Sequence, residues 1–168
     1  MLPGHDAYTQ QLRRIQYIGV VCAIFKLKKP VTGNFWLNIN DARTPCNGII
    51  EYTNLNPLGK DDGHIVYVPY YVATDNPMYR RSDEDVFHQS RAALQLINPG
   101  LRDEDVIAHR VFRSTHAQAI CPVGFLNMIP NQASPIAGLR LLDSIFLYPE
   151  DRTQSGLILH AQKCAKEI

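Results

Sequence analysis

"HIVYVPYYVATDNPMYRRSDEDVFHQSRAALQLINPG", residues 64–100, changes its hydrophobic period partway along. From His64 to Val72, β-branched and aromatic residues run together, the composition of a strand. After the break the apolar spacing becomes helical: Val86, Ser90, Ala93, Leu94 and Ile97 fall on one face. Ser82 and Asp85 stand as the two ends of a capping box, and Pro99-Gly100 stops the helix.

Upstream, from Tyr17 on, the apolar segments read as strands. Tyr17–Leu27 is apolar on both faces, which predicts an interior strand. "KKPVTGN" is a turn, and Phe35–Asn40 alternates with one polar face. Gly48–Asn54 is the next strand, and the loop "NPLGKDDG" leads into His64–Val72. Short links between consecutive strands predict antiparallel pairing. Asp6–Arg14 reads as a short leading helix. Downstream, Asp105–Arg113 returns to strand, and Ser114–Ala137 shows no period and carries Pro122, Pro130 and Pro135. Gly138–Ser144 is predicted as a short strand, and Thr153–Lys166 as the last helix. The order predicts an α+β fold: a mixed, largely antiparallel sheet with flanking helices, not a doubly wound one.

A chain of 168 residues with 45% hydrophobic and 20% charged content can bury roughly two-thirds of its unfolded surface in a core. A net charge of +1 gives no electrostatic case for nucleic acid or an anionic membrane. Cys22, Cys46, Cys121 and Cys164 lack paired spacing, so free buried thiols in a reducing cytoplasm are expected. The apolar run "YIGVVCAIF" is too short to span a bilayer, and "MLPGHDAYTQQLRR" lacks signal-peptide order. The histidines at 5, 64, 88, 109, 116 and 160 show no ligand spacing, so no metal is expected. No catalytic Ser/His/Asp or Cys/His arrangement stands out.

The closing stretch "LYPEDRTQSGLILHAQKCAKEI" places polar, charged residues directly before a helix. Leu157, Ala161, Cys164, Ala165 and Ile168 share one face of that helix, with Gln162, Lys163, Lys166 and Glu167 on the other. Thr153 and Ser155 can cap its first N–H groups, and Gly156 allows close backbone approach. A helix start favours anions, but a capped turn with Glu150 and Asp151 at the dipole accounts for the same residues.

"GLRLLDSIFLYPEDRTQSGLILHAQKCA" resembles the terminal flavin-binding segment of the FAD-dependent amine oxidase, phytoene desaturase and protoporphyrinogen oxidase superfamily. The resemblance is closest to a bacterial, amine-oxidase-like branch akin to UDP-galactopyranose mutase. "FWLNINDARTPCNGIIEYTNLNP", "HIVYVPYYVATDNPMY", "LINPGL" and "VFRSTHAQAI" resemble its substrate-domain blocks in the same order. The resemblance implies a substrate-domain-like region over 1–137 and the strand–loop–helix of an FAD-binding domain over 138–168. It implies that Asp143, Arg152, Thr153, Ser155 and Gly156 meet FAD, with Arg152 serving the cofactor and adding little to folding. It further implies that Asn38, Asn54, Tyr67 and Tyr70 face a small-molecule substrate cavity, with Trp36 as its roof. Two departures stand out. "TQSG" replaces the usual glycine after Arg152, and no G-x-G-x-x-G unit is present to hold a pyrophosphate.

The expectation is therefore the C-terminal part of a flavin-dependent oxidoreductase, forming the substrate side and one edge of the FAD site. This chain alone should not retain FAD, and its missing half would come from elsewhere. A homo-oligomer is expected, because removal of that half exposes Leu141, Leu157 and Ala161. The alternatives are mutase chemistry on a nucleotide sugar, a non-catalytic α+β binding or dimerisation module, or the partner of a separate FAD-binding subunit.

Overall fold

In the computed structural model, which describes residues 4–59 and 62–166, the chain divides into two compact units. Tyr17–Gln118 forms one, and the residues up to Gln16 with those from Ala119 onward form the other. Lys60 and Asp61 of the glycine-rich loop, and Glu167 and Ile168, assigned above to faces of the last helix, lie outside the described residues.

The larger unit is α+β. Its sheet contains β1 (Tyr17–Leu27), β2 (Trp36–Asn38), β3 (Gly48–Glu51), β4 (His64–Val72) and β5 (Val106–Ala119), in the order β2-β3-β4-β1-β5. The pairings of β1 with β4, β2 with β3 and β3 with β4 are antiparallel. β5 also runs against β1: Lys28 N–H donates to Asp105 O at one end and Ile120 N–H to Gln16 O at the other. β1 and β4 have the bounds expected from sequence, and both are interior strands.

Side chains alternate across the sheet. Val21, Ala23, Phe25 and Leu27 of β1 and Val66, Val68 and Tyr70 of β4 are fully buried. They form one cluster with Val86, Ala93 and Leu94 of the helix Asp83–Ile97. That helix is capped as its sequence predicts, with Ser82 Oγ accepting from Asp85 N–H at 3.1 Å. Ser90, on the same face, meets the Tyr70 hydroxyl at 3.0 Å, so the buried polar pair is mutually satisfied.

Three stretches depart from the sequence reading. Gly48–Asn54 is strand only to Glu51, and Tyr52–Leu55 make one helical turn. The turn is set by side chains that serve neighbouring backbone: Thr53 Oγ1 accepts from Ile65 N–H, and Asn54 Nδ2 donates to the carbonyls of Thr32 and Asn34. Gly138–Ser144 is not a strand; it holds one bridge, Ala133 to Arg140, before Asp143 caps a short 3-10 turn over Ser144–Leu147. β5 continues past Arg113 to Ala119, through a stretch with no apolar period because both of its faces are exposed.

The smaller unit contains a helix at Asp6–Arg13, the 3-10 turns Phe125–Asn127 and Ser144–Leu147, and the closing helix Gln154–Ala165. No helix among the described residues is long and apolar enough to cross a membrane.

Candidate functional site

Two surfaces carry the predicted residues, and each lies within one unit. The first is the sheet face opposite the helix Asp83–Ile97. Pairing registers place Trp36, Ile50, Tyr67 and Ile24 in one cross-strand row over β2, β3, β4 and β1. Ile50, Tyr67 and Ile24 are half-buried, whereas Trp36 is 52% exposed. Its indole N–H donates to Asn38 Oδ1 at 2.8 Å, which fixes the ring over the sheet, and Phe35 stands edge-on 6.4 Å away. Asn38, two residues along the strand, shares this face.

Tyr70 does not. It is fully buried on the opposite face, where burial raises its hydroxyl pKa and Ser90 satisfies it, so it is a core residue. Asn54 is also withdrawn, because its amide is committed to the Thr32 and Asn34 carbonyls. Of the four residues assigned to a substrate cavity, Asn38 and Tyr67 remain together. Cys22 lies on the same face beside Pro69, but burial pushes its thiol up to about 11, so it stays protonated near neutral pH.

The second surface is the closing segment. Thr153 caps the last helix, its Oγ1 accepting from Gly156 N–H at 3.0 Å. Leu147 packs close on Gly156, where an added Cβ would stand 3.3 Å from Leu147 Cδ1. A cleft of about 470 Å³ opens here, lined by Tyr148, Pro149, Glu150, Asp151, Thr153, Gly156, His160 and Lys163. Gly156, His160 and Lys163 follow at helical spacing, so this lining was readable from sequence although only the helix start was singled out. Ser155 is exposed at the first turn.

Arg152 and Asp143 each bond to backbone of their own unit. Arg152 Nη1 donates to Ala119 O at 2.9 Å and lies 3.9 Å from Cys121 Sγ, and its side chain is half-buried. Asp143 Oδ1 accepts from Ile145 N–H at 2.9 Å. The expectation that Arg152 adds little to folding is therefore corrected, since it closes a backbone carbonyl that would otherwise be short of a donor. A half-exposed charge-assisted bond of this kind contributes about 1 kcal/mol. Arg152→Ala should lower the melting temperature by roughly 2–4 °C in a thermal scan. Arg152→Lys should recover part of the loss. No change in either variant would remove the structural role.

The helical faces also need one correction. Leu157, Ala161 and Cys164 turn inward as predicted, but Ala165 is exposed. Leu141, Leu157 and Ala161 are half-buried, so they do not form the open patch expected from the missing half. The exposed apolar residues of the helix are Ile158, at 60%, and Leu159, at 54%.

Neither surface suits the pyrophosphate of FAD. The cleft sets two carboxylates beside one lysine, and the nearby guanidinium is turned to a carbonyl. The first-turn N–H groups of Gln154 and Ser155 have no intrahelical acceptor. A larger cavity of about 520 Å³ beside β5 includes none of the predicted residues. Its carboxylates Asp83 and Glu84 already face Arg113 and His109. Among the described residues, no cluster of three His, Cys, Asp or Glu side chains could hold a metal ion.

No protein family and no curated protein matches the chain. Solved structures do. An oxidoreductase from Methanosarcina mazei matches at 20% identity with a TM-score of 0.60, covering 84% of this chain and 32% of its own. A candidate protoporphyrinogen oxidase from Exiguobacterium sp. 255-15 matches at 10% identity with a TM-score of 0.56, covering 71% of this chain and 27% of its own. The shared feature is the fold, and this chain spans about a third or less of each longer protein.

Proposed function

We propose that this chain is the C-terminal part of a flavin-dependent, amine-oxidase-like oxidoreductase. Residues 1–137 would form the substrate side, and 138–168 one edge of the FAD site. The observation that carries the reading is the fold, which recurs over 84% of the chain within one third of a longer oxidoreductase. The closing segment adds support, because its cleft and open helix start fall in the stretch that resembles a flavin-binding terminus.

When bound, the flavin supplies hydride acceptance from a C–H bond next to nitrogen or in an alkene-forming position. The residues of this chain would orient and enclose. Trp36, Tyr67 and Ile24 offer an apolar floor that excludes water from a small-molecule substrate, and Asn38 holds the indole in place. The N–H groups at the start of the last helix would meet an acceptor edge of the ring. Mutase-like chemistry on a nucleotide sugar belongs to the same proposal as its narrower branch. Four free cysteines agree with a reducing cytoplasm.

The chain alone should purify colourless. A helix terminus offers roughly 0.3–1 kcal/mol to an anion, whereas micromolar binding needs about 8 kcal/mol. Titration with FAD, followed by flavin fluorescence, should show no saturation in the micromolar range. A yellow preparation with stoichiometric FAD contradicts the division of the cofactor site proposed here.

A further inference from the structure

Behind the cleft of the closing segment runs a polar relay that the proposed function leaves without a task. Cys164, buried on the inner side of the last helix, donates its thiol hydrogen to Gln132 Oε1 at 3.1 Å. The other end of the same amide, Gln132 Nε2, meets His160 Nε2. Gln132 is itself anchored, its backbone carbonyl accepting from Leu141 N–H at 2.9 Å. All of these residues belong to the smaller unit. His160 lines the cleft one turn beyond Gly156, and its ring stacks at 20° on that of Phe146, with centroids 6.5 Å apart.

An amide nitrogen carries two donors and no acceptor. Where it meets a ring nitrogen, the ring must accept, so Nε2 of His160 holds the lone pair and the proton of the neutral imidazole is on Nδ1. Turning the amide over would set its N–H groups against the thiol, whose sulfur is a weak acceptor, and leave the buried S–H without its oxygen. It would also present the lone pair of Nδ1 to a cleft that already holds the carboxylates of Glu150 and Asp151. Nε2 is directed at Gln132, which does not line the cleft, while Nδ1 bonds to no described residue and keeps solvent contact.

We propose that His160 is a specificity-determining residue of this cleft: a neutral ring, locked by Gln132 and Cys164, whose Nδ1–H donates to a carbonyl oxygen or an unprotonated ring nitrogen of the ligand. The lock stands on contacts within the chain. Only the identity of that ligand as a flavin ring rests on the function proposed above.

Nitrogen-15 NMR of the histidine-labelled chain, recorded where its histidines are neutral, tests the lock, because protonated and bare imidazole nitrogens resonate far apart. The His160 signals are assigned by their loss in His160→Phe. Nδ1 should read as protonated and Nε2 as bare. Gln132→Glu offers acceptors only and should put a proton on Nε2. Cys164→Ser keeps a donor to Oε1 and should keep the Nδ1–H form, whereas Cys164→Ala frees the amide to turn and should give a mixture. A parent ring protonated at Nε2 overturns the proposal, as does a tautomer indifferent to Gln132→Glu. In a protein that unites the chain with a dinucleotide-binding half, His160→Phe keeps the stack on Phe146 and deletes the donor. It should weaken FAD retention roughly 2- to 10-fold, and unaltered retention overturns the role in ligand selection. A united parent that holds no FAD counts against the flavin reading instead, since the tautomer is read on the chain itself.

Discussion

Glu51→Ala is expected to destabilise the fold by about 2–4 kcal/mol, because it leaves backbone donors buried without an acceptor. Glu51 is fully buried at the end of β3, in register with Val66 and hence on the core face. Its two oxygens accept from Val31 N–H at 2.8 Å, from Thr32 N–H at 2.5 Å and from the Thr32 hydroxyl at 2.7 Å. The carboxylate thus fixes the turn between β1 and β2, and with it the position of Trp36. Domains hold roughly 5–15 kcal/mol in total, so this loss is a large fraction. In a chain of this size it corresponds to roughly 5–15 °C in melting temperature. Glu51→Gln should lose less, because its carbonyl still accepts while its NH₂ opposes one donor. Urea unfolding measures both, and a Glu51→Ala loss below about 0.5 kcal/mol, the ordinary scatter of surface substitutions, contradicts the assignment.

Gly19→Ala carries the second large effect, about 2–3 kcal/mol. A Cβ at Gly19 would stand 1.5 Å from the Tyr79 oxygen and 2.8 Å from the Ser114 carbonyl. The first is the end of a side chain, but the second is backbone of the neighbouring strand and cannot yield without opening β5 from β1. Shortening Tyr79 to Ala should relieve the first clash and leave the second. The double variant should therefore lose less than the two single losses added together. Strict additivity in denaturant titrations would mean that Tyr79 does not close over Gly19 in solution.

The elements that were legible in the sequence are those whose signal is local. β1, β4 and the Ser82-capped helix each carry a period and an end marker, and their bounds agree with the reading. Glu51 was not legible, because its role depends on N–H groups about twenty residues earlier in a turn. The same limit applies at the proposed site. Trp36, Asn38 and Tyr67 share a sheet face by the parity of their positions, which the strand register converts into a cross-strand row. Tyr70 has the other parity, so counting along "HIVYVPYYV" separates it from Tyr67. The bond from Arg152 was not legible, because its partner, Ala119, is remote in sequence and ends a strand longer than its pattern announced.

The most direct measurement concerns flavin retention in a protein that unites this chain with a glycine-rich dinucleotide-binding half, on one polypeptide or as a separate subunit. FAD should co-purify stoichiometrically with the united protein and not with the chain alone. Ser155→Glu is the informative variant, because an acidic residue in the first turn favours the helix while obstructing a ligand at its N–H groups. It should leave the melting temperature unchanged or slightly raised and weaken FAD retention roughly tenfold, the equivalent of about 1.4 kcal/mol. If the united protein holds FAD as firmly with the Ser155→Glu substitution as without it, the closing segment is a capped turn and no part of a flavin site.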